Sequence, residues 1–563
     1  MTLSNYKKEV AIMSENKRSE MTDRGFLILA VTLGAFVLWL RYKFEVVAFY
    51  FKWRIGIALI ITAVVMLVLV KLRNKFLSLF EKQDLEKEVI TPTEGEDAVF
   101  AGLSSNGKSV FIKQSFRRMH TQVVGTTNAG KTESVILPWA IDDIKKGRGL
   151  LMIDGKSDSG LLNKLYAYAK KHHREQDVRI LSLCNVDISH TFNPFSGGSV
   201  LEVTERIFSA LNFENEYYKS IQYDAFLHCL MILEEAKIQA TPLRVIECLK
   251  NEKHLADLAN TTDNSRLQLW ASDFLKLTRE EREQRTSGLV AQLQSFAVGD
   301  TAKIFNTENS DINLERALQD GEIVYCQLPA LKIPTLGKAT GKMILQCLQS
   351  AVASRHLGKY QNQRFFSVYL DDFTEYLTPS FVTLLNKSRS ANVGVVFAHQ
   401  ALGDLAGLGD GVKNTILTNS NLKVFMRTNE PESAEYFSEV IGTAQTAKVT
   451  ERQKQGVFGH EKTGDGSVRE AEEFKFHPNI FKQELGVGEA VVLLPHAKGS
   501  LPIRLKFKRS FDLDKLEIPK LKKTEASGIL KSEDASESKQ KSEPKSSGDV
   551  MADVNEHHER KAG

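Results

Sequence analysis

The apolar positions of this chain change rhythm as it proceeds. Two uncharged apolar runs come first, at 25–40 and 55–70. Each falls somewhat short of the roughly 20 residues that span a bilayer. Trp39, Tyr42 and Trp53, with flanking Lys and Arg, extend them into the interface. Further on, short apolar runs bounded by turn residues alternate with helical ones. Residues 109–112, 121–124, 149–153, 178–183, 322–327, 366–370, 393–398, 422–426 and 490–494 read as strands, and 159–172 as a helix. Near-continuous apolar strands alternating with helices predict a parallel sheet covered on both faces. Between 203 and 316 the period is helical instead, as in Ile207 and Leu211 and again in Leu227, Leu230 and Leu233. Residues 453–467, rich in Gly, Lys and Glu, read as an exposed mobile loop.

These shifts predict an organisation: an N-terminus over 1–24, a two-helix transmembrane hairpin over 25–72 and a linker over 73–99. An α/β domain follows in two parts, 100–202 and 317–515, with a helical insertion over 203–316 between them. The tail, 516–563, turns to Lys, Ser and Glu with scarcely an aromatic and is expected to be disordered. Lys7, Lys8, Lys17, Arg18 and Arg24 precede the first apolar run, and Lys71, Arg73, Lys75 and Lys82 follow the second. Basic clusters outside a hairpin put both of its ends in the cytoplasm, although the connecting segment also carries Arg41, Lys43, Lys52 and Arg54. A cleaved signal peptide fits poorly, because a second apolar run follows the first.

Composition adds little. The 563 residues are 42% hydrophobic and 26% charged, with a net charge of +4, a balance too weakly basic to argue for nucleic acid on its own. The five cysteines are scattered with no C-x-x-C pair, which suits reduced thiols and gives no sign of a zinc site.

The candidate chemistry centres on Gly125-Thr126-Thr127-Asn128-Ala129-Gly130-Lys131-Thr132, which fits the phosphate-binding pattern G-x-x-x-x-G-K-[ST]. A buried strand precedes it, and a helix over 133–141, interrupted by Pro138, follows. That arrangement aims backbone N–H groups and a positive helix end at phosphate. Lys131 is expected to reach the β- and γ-phosphates of ATP, and the Thr132 hydroxyl to hold Mg²⁺. The strand over 366–370 runs into Asp371-Asp372. Asp371 is placed to hold Mg²⁺ through its water shell and Asp372 to polarise the attacking water, with Glu375 as the fallback for that role. Gln400 ends another apolar strand as a candidate sensor of the γ-phosphate, and Arg389 is a candidate arginine finger acting on a neighbour's nucleotide.

Taken in order, the apolar hairpin, the phosphate loop, Ile153-Asp154-Gly155-Lys156, Thr191-Phe192-Asn193-Pro194, Gln327-Leu328-Pro329-Ala330, Leu370-Asp371-Asp372-Phe373 and Gln400 resemble the type IV secretion coupling proteins of the TraD/TraG family. The resemblance covers roughly 100–505 and the hairpin. It implies a RecA-like P-loop motor with an inserted all-helical domain, anchored as a multi-pass protein in the bacterial inner membrane and working as a homohexamer. It also implies use of ATP and Mg²⁺, binding of single-stranded DNA without much sequence preference, and partners in a relaxase (relaxosome) complex and the secretion channel. By motif it assigns Lys131 and Thr132 to nucleotide, Asp371 and Asp372 to the acidic pair, Gln400 to the sensor and Arg389 to the finger. Two departures stand out. The family usually has Asp-Glu where this chain has Asp371-Asp372, and Asp-Pro-Lys where it has Asp154-Gly155-Lys156. Transfer mainly of proteins, and a nucleotide-gated scaffold that does not hydrolyse, are the alternative readings of the same motifs.

Overall fold

A computed structural model describes residues 25–39, 61–73, 97–359, 363–456, 459–496, 499–509, 516 and 518–521. The chain divides into two compact units, Met1–Val89 and Ile90–Gly563. In the first, residues 25–39 and 61–73 are helical. Leu27, Ile28, Val31, Phe36 and Trp39 are exposed on one helix, and Val64, Met66, Leu67 and Leu72 on the other. Among the described residues no helix is long and apolar enough to cross a membrane. The middle of the expected hairpin, 40–60, lies outside the described residues, as do 1–24 and most of the linker and tail.

In the second unit the strands, in chain order, are β1 Ala98–Ser104, β2 Ser109–Lys113, β3 Thr121–Val124, β4 Gly149–Asp154, β5 Val178–Ser182, β6 Ile323–Gln327, β7 Phe366–Asp371, β8 Val393–His399, β9 Leu422–Phe425, β10 Thr443–Gly456, β11 Gly459–Phe474, β12 Glu489–His496 and β13 Gly499–Phe507. Eleven of them form one sheet in the order β2-β1-β13-β12-β9-β3-β8-β7-β4-β6-β5. The run from β9 to β5 is parallel. Every residue of β3, β4, β6, β7 and β8 is buried, as strands covered by helices on both faces must be.

The sheet is not parallel throughout, which corrects the expectation. β12, β13, β1 and β2 add an antiparallel flank. β13 escapes a search for continuous apolar runs because it is half solvated, whereas β1, with five of its seven residues buried, lies across the end of the expected linker. β13 interleaves Pro502, Arg504 and Lys506 with its apolar positions, the pattern of a one-sided strand. The mobile loop expected at 453–467 is likewise replaced by an antiparallel ribbon of β10 and β11, in register from Thr443↔Phe474 to Gly456↔Gly459.

Between β5 and β6 the described chain is helical, from Val200–Ala210 to Leu314–Asp320. Side-chain caps start most of these helices. Ser199 with Glu202, and Thr278 with Glu281, form reciprocal capping boxes, each satisfying two otherwise orphaned N–H groups. Phe195, Phe208, Phe226, Leu289 and Phe296 pack these helices into a core continuous with the residues under the sheet, including Leu151, Leu181 and Cys326. The inserted helices are therefore welded to the sheet rather than tethered to it.

Candidate active site

β3 lies between β8 and β9 in the parallel run, so the loop after Val124 emerges over the middle of the sheet's carboxyl edge. Two residues of that loop need left-handed backbone, Asn128 at φ 64° and Gly130 at φ 100°. Gly130 has no room for a side chain either. A Cβ there would lie 2.9 Å from Ser134 Oγ and 3.1 Å from the N of Gly488, and the Gly488 N–H itself donates to Ala129 O at 2.9 Å. The turn before β12 thus braces the phosphate loop from behind. The helix that follows begins with a widened turn, Lys131–Ile136, in which the N–H of Leu137 reaches back to Thr132 O. The widened turn accounts for Pro138. Pro138 stands within the continuous helical run 131–145, where its missing N–H breaks the hydrogen-bond ladder and the widened turn absorbs the break. Such widened turns recur at functional sites.

Lys131 is only 6% exposed. Its Nζ donates to Gly125 O at 2.6 Å and to Thr126 O at 3.3 Å. Burial pulls its pKa down, while Asp372 and Asp371 oppose that shift. The Thr132 hydroxyl donates to Asp371 Oδ2 at 2.7 Å, joining the first helical turn to the end of β7. Asp371 is buried and its Oδ1 has no hydrogen-bond partner. Burial raises its pKa, against the pull of Lys156 and of Thr132. A buried carboxylate oxygen without a donor, beside a hydroxyl and a buried ammonium, is the chemistry that accepts a hydrated divalent cation with its phosphates. The residues fit Mg²⁺ and nucleotide.

The remaining candidates are distributed unequally. Asp372 sits at φ 50°, ψ 51°, a strained conformation for a non-glycine residue. Its carboxylate pairs with Lys156 Nζ at 2.9 Å. Glu375, in the short helical turn Phe373–Tyr376, pairs with Lys338 at 2.5 Å. Both candidates for activating water are therefore held by lysines. Gln400 does come to the loop, where its Oε1 accepts the Thr127 hydroxyl at 3.2 Å. Arg389 does not. It is exposed and precedes β8, whereas the loop lies beyond the other end of that strand, where Val124 is in register with His399. At about 3.3 Å per residue the two are roughly 20 Å apart within one chain.

The structure also adds residues. Asp154 accepts N–H bonds from Lys156, Ser157 and Asp158 at 2.7–3.1 Å and the Tyr325 hydroxyl at 2.8 Å. This folds the segment after β4 so that Lys156 meets Asp372. Asp404 accepts the N–H groups of Gln400 and Ala401. Lys156 stood in a recognisable motif, Asp154-Gly155-Lys156. The brace at Gly488 had no signal in sequence.

A glycine loop between central parallel strands, closed by a lysine and joined through a hydroxyl to an acidic strand end, defines a P-loop nucleotide-binding fold. Residues 72–473 match the family described as "Type IV secretory system Conjugative DNA transfer". The chain belongs to that family and is a type IV coupling protein of the TraD/TraG kind. It is similar to the type 4 coupling protein DotL of Legionella pneumophila, with 22% identity over 428 residues, 65% of this chain and 54% of that protein. The chain thus spans about half the length of this curated relative. Among solved structures, the bacterial conjugative coupling protein TrwBΔN70 in its unbound monoclinic form matches with a TM-score of 0.56 and 14% identity, over 77% of this chain and 93% of that one. Plasmid coupling protein TrwB in complex with ADP and Mg²⁺ matches with a TM-score of 0.52 and 15% identity, over 74% and 91%. These likenesses show a shared fold.

Proposed function

We propose that this protein is a membrane-anchored, ATP-driven motor that passes single-stranded DNA, delivered with a relaxase complex, to a type IV secretion channel. The observation that carries the reading is the contact of Thr132 with Asp371 beside buried Lys131, with one carboxylate oxygen left without a donor. The related TrwB structures, one with ADP and Mg²⁺ and one with a non-hydrolysable ATP analogue, support nucleotide and Mg²⁺ as the ligands. In this reading Lys131 and the N–H groups of 125–132 hold the phosphates, while Thr132 and Asp371 hold Mg²⁺, which supplies charge neutralisation on the phosphates. Asp372 or Glu375 orients water once its lysine partner lets go, and Gln400 reports the state of the γ-phosphate through Thr127. Arg389, remote from its own loop, acts on the nucleotide of a neighbouring subunit in a homohexamer. The exposed apolar side chains of helices 25–39 and 61–73 support an inner-membrane hairpin that makes the protein multi-pass, since contiguous exposed apolar surface marks a membrane or protein contact.

A second reading, a nucleotide-gated scaffold with little turnover, draws on the two ion pairs that hold Asp372 and Glu375. ATP hydrolysis by the full chain, with and without single-stranded DNA over a salt series, separates the two. Stimulation by DNA that fades as salt rises is expected of a motor gripping a phosphate backbone. Tight ATP binding with no turnover under any condition would contradict the motor and favour the scaffold.

A further inference from the structure

A cleft runs between the inserted helices and the segment just after Glu375. It holds a cavity of about 480 Å³ lined by residues including Phe208, Asn212, Phe213 and Lys219 on one side and Thr378 and Ser380 on the other. Beside Lys219 stand Tyr217 and Tyr218, edge-on to each other at 5.5 Å and 69% and 36% exposed. Phe213 stacks on Phe208 at 4.8 Å and 4°. Helix Pro334–His356 borders this lining, where Gln346 donates to Ser380 Oγ. Lys342 reaches Asn212 Oδ1 at 3.5 Å, and Lys338 lies one turn before it on the same face. Burial and the neighbouring Lys338 both lower the Lys342 pKa. The carboxylates facing these lysines are Glu216, paired with Lys219 at 3.2 Å, and Glu375, paired with Lys338. The helix is fixed firmly to the Glu375 turn. A Cβ on Gly341 would sit 2.2 Å from the Tyr376 ring, so the contact admits no side chain there.

We propose that this cleft seats single-stranded nucleic acid and that the Lys338–Glu375 pair relays its presence to the nucleotide site. The inference rests on the motor reading above and deepens it. Lysines spaced along a groove neutralise a phosphate backbone, and exposed aromatic rings stack bases of any sequence. A strand phosphate that takes Lys338 as its counter-ion leaves Glu375 without one, three residues beyond Asp372. Its carboxylate is then free to accept a proton from water. Hydrolysis is slow while the cleft is empty and rises when it is filled.

The test is ATP hydrolysis by the full chain with and without oligothymidylate, on Lys338→Met and on Tyr217→Ala combined with Lys219→Ala. Lys338→Met is expected to hydrolyse several-fold faster than the unaltered protein without DNA and to gain nothing when DNA is added. The double variant should need about tenfold more oligothymidylate for half-maximal stimulation. If Lys338→Met has the unaltered basal rate and full stimulation, the relay is overturned. Should Lys338→Met lose nucleotide binding, and so be misfolded, Glu375→Gln decides: oligothymidylate binding kept with stimulation lost supports the relay, and stimulation kept overturns it. An unaltered protein stimulated by an unfolded polypeptide but not by oligothymidylate overturns the choice of occupant. An unaltered protein stimulated by oligothymidylate, with a double variant that responds identically, overturns the cleft but leaves the motor standing.

Discussion

Two buried aspartates served by one strand show how differently this fold treats charge. Asp143, on helix Leu137–Lys145, is fully buried and amply satisfied. Arg117 donates to both of its oxygens at 2.8 and 2.7 Å, Arg148 adds a bond at 3.1 Å, and the Ser367 and Tyr369 hydroxyls each donate at 2.6 Å. Burial alone would raise its pKa, but Arg117 and the other donors hold it down to about 2. Asp371 ends the same strand that supplies Ser367 and Tyr369. It is just as deep, yet has one donor, an unpartnered oxygen and a raised pKa. The first carboxylate is spent on holding strand to helix, and the second is kept in deficit. A deficit of this kind persists only where the rest of the fold supports it, and is the chemistry expected of a ligand site.

Asp143 depends on its counter-ions. Arg117→Met leaves that carboxylate buried without its main counter-ion, and a destabilisation of about 3–5 kcal/mol is expected in denaturant unfolding. A loss below about 1 kcal/mol would show that Arg148, Ser367 and Tyr369 suffice.

Two buried histidines lie one at each end of the parallel strands. His120 accepts the Val395 N–H on Nδ1, at 3.2 Å, and donates from Nε2 to Leu385 O, at 2.7 Å. His399 bonds Ala401 O through Nδ1 and Gln122 Nε2 through its other nitrogen. Each ring is thereby held neutral, and burial lowers both pKa values to about 4. Because the unfolded chain binds these protons from about pH 6.5 and the folded chain only near pH 4, stability should fall as pH drops through that window. The loss is on the order of 3 kcal/mol per histidine. A denaturant midpoint that stays flat from pH 6.5 to 4 would contradict neutral rings.

The smallest effect is the most informative about Asp371. Replacing it with Asn removes a buried charge lacking a full set of donors, so stability should stay level or rise by about 1 kcal/mol. Mg²⁺-dependent nucleotide binding should weaken at the same time. A marked loss of stability would place Asp371 with Asp143 as a structural group.

How much of this could be read in sequence follows from how far each contact reaches. The phosphate loop and Asp371 are legible because strand, turn and acidic end are local patterns. The inserted helices are legible from their 3.6-residue period. The pairing of Asp372 with Lys156 and of Glu375 with Lys338, and the bond from Gly488 to Ala129, join segments distant in the chain and leave no local trace. β13 is hidden by its half-solvated alternation, β1 by its place across the end of the charged linker, and the ribbon of β10 and β11 by a polar composition that reads as loop. Arg389 shows a further limit. Its residue type suggested phosphate, but only the strand direction places it at the end of β8 away from its own loop.

The most direct test of an ATP-driven motor is the frequency of DNA transfer from cells whose only copy carries Lys131→Ala. Transfer should fall to background, because the buried ammonium proposed to meet the phosphates is gone while the loop's backbone bonds remain. Transfer at the unaltered frequency, from a variant shown to be folded and present at normal levels, would contradict it.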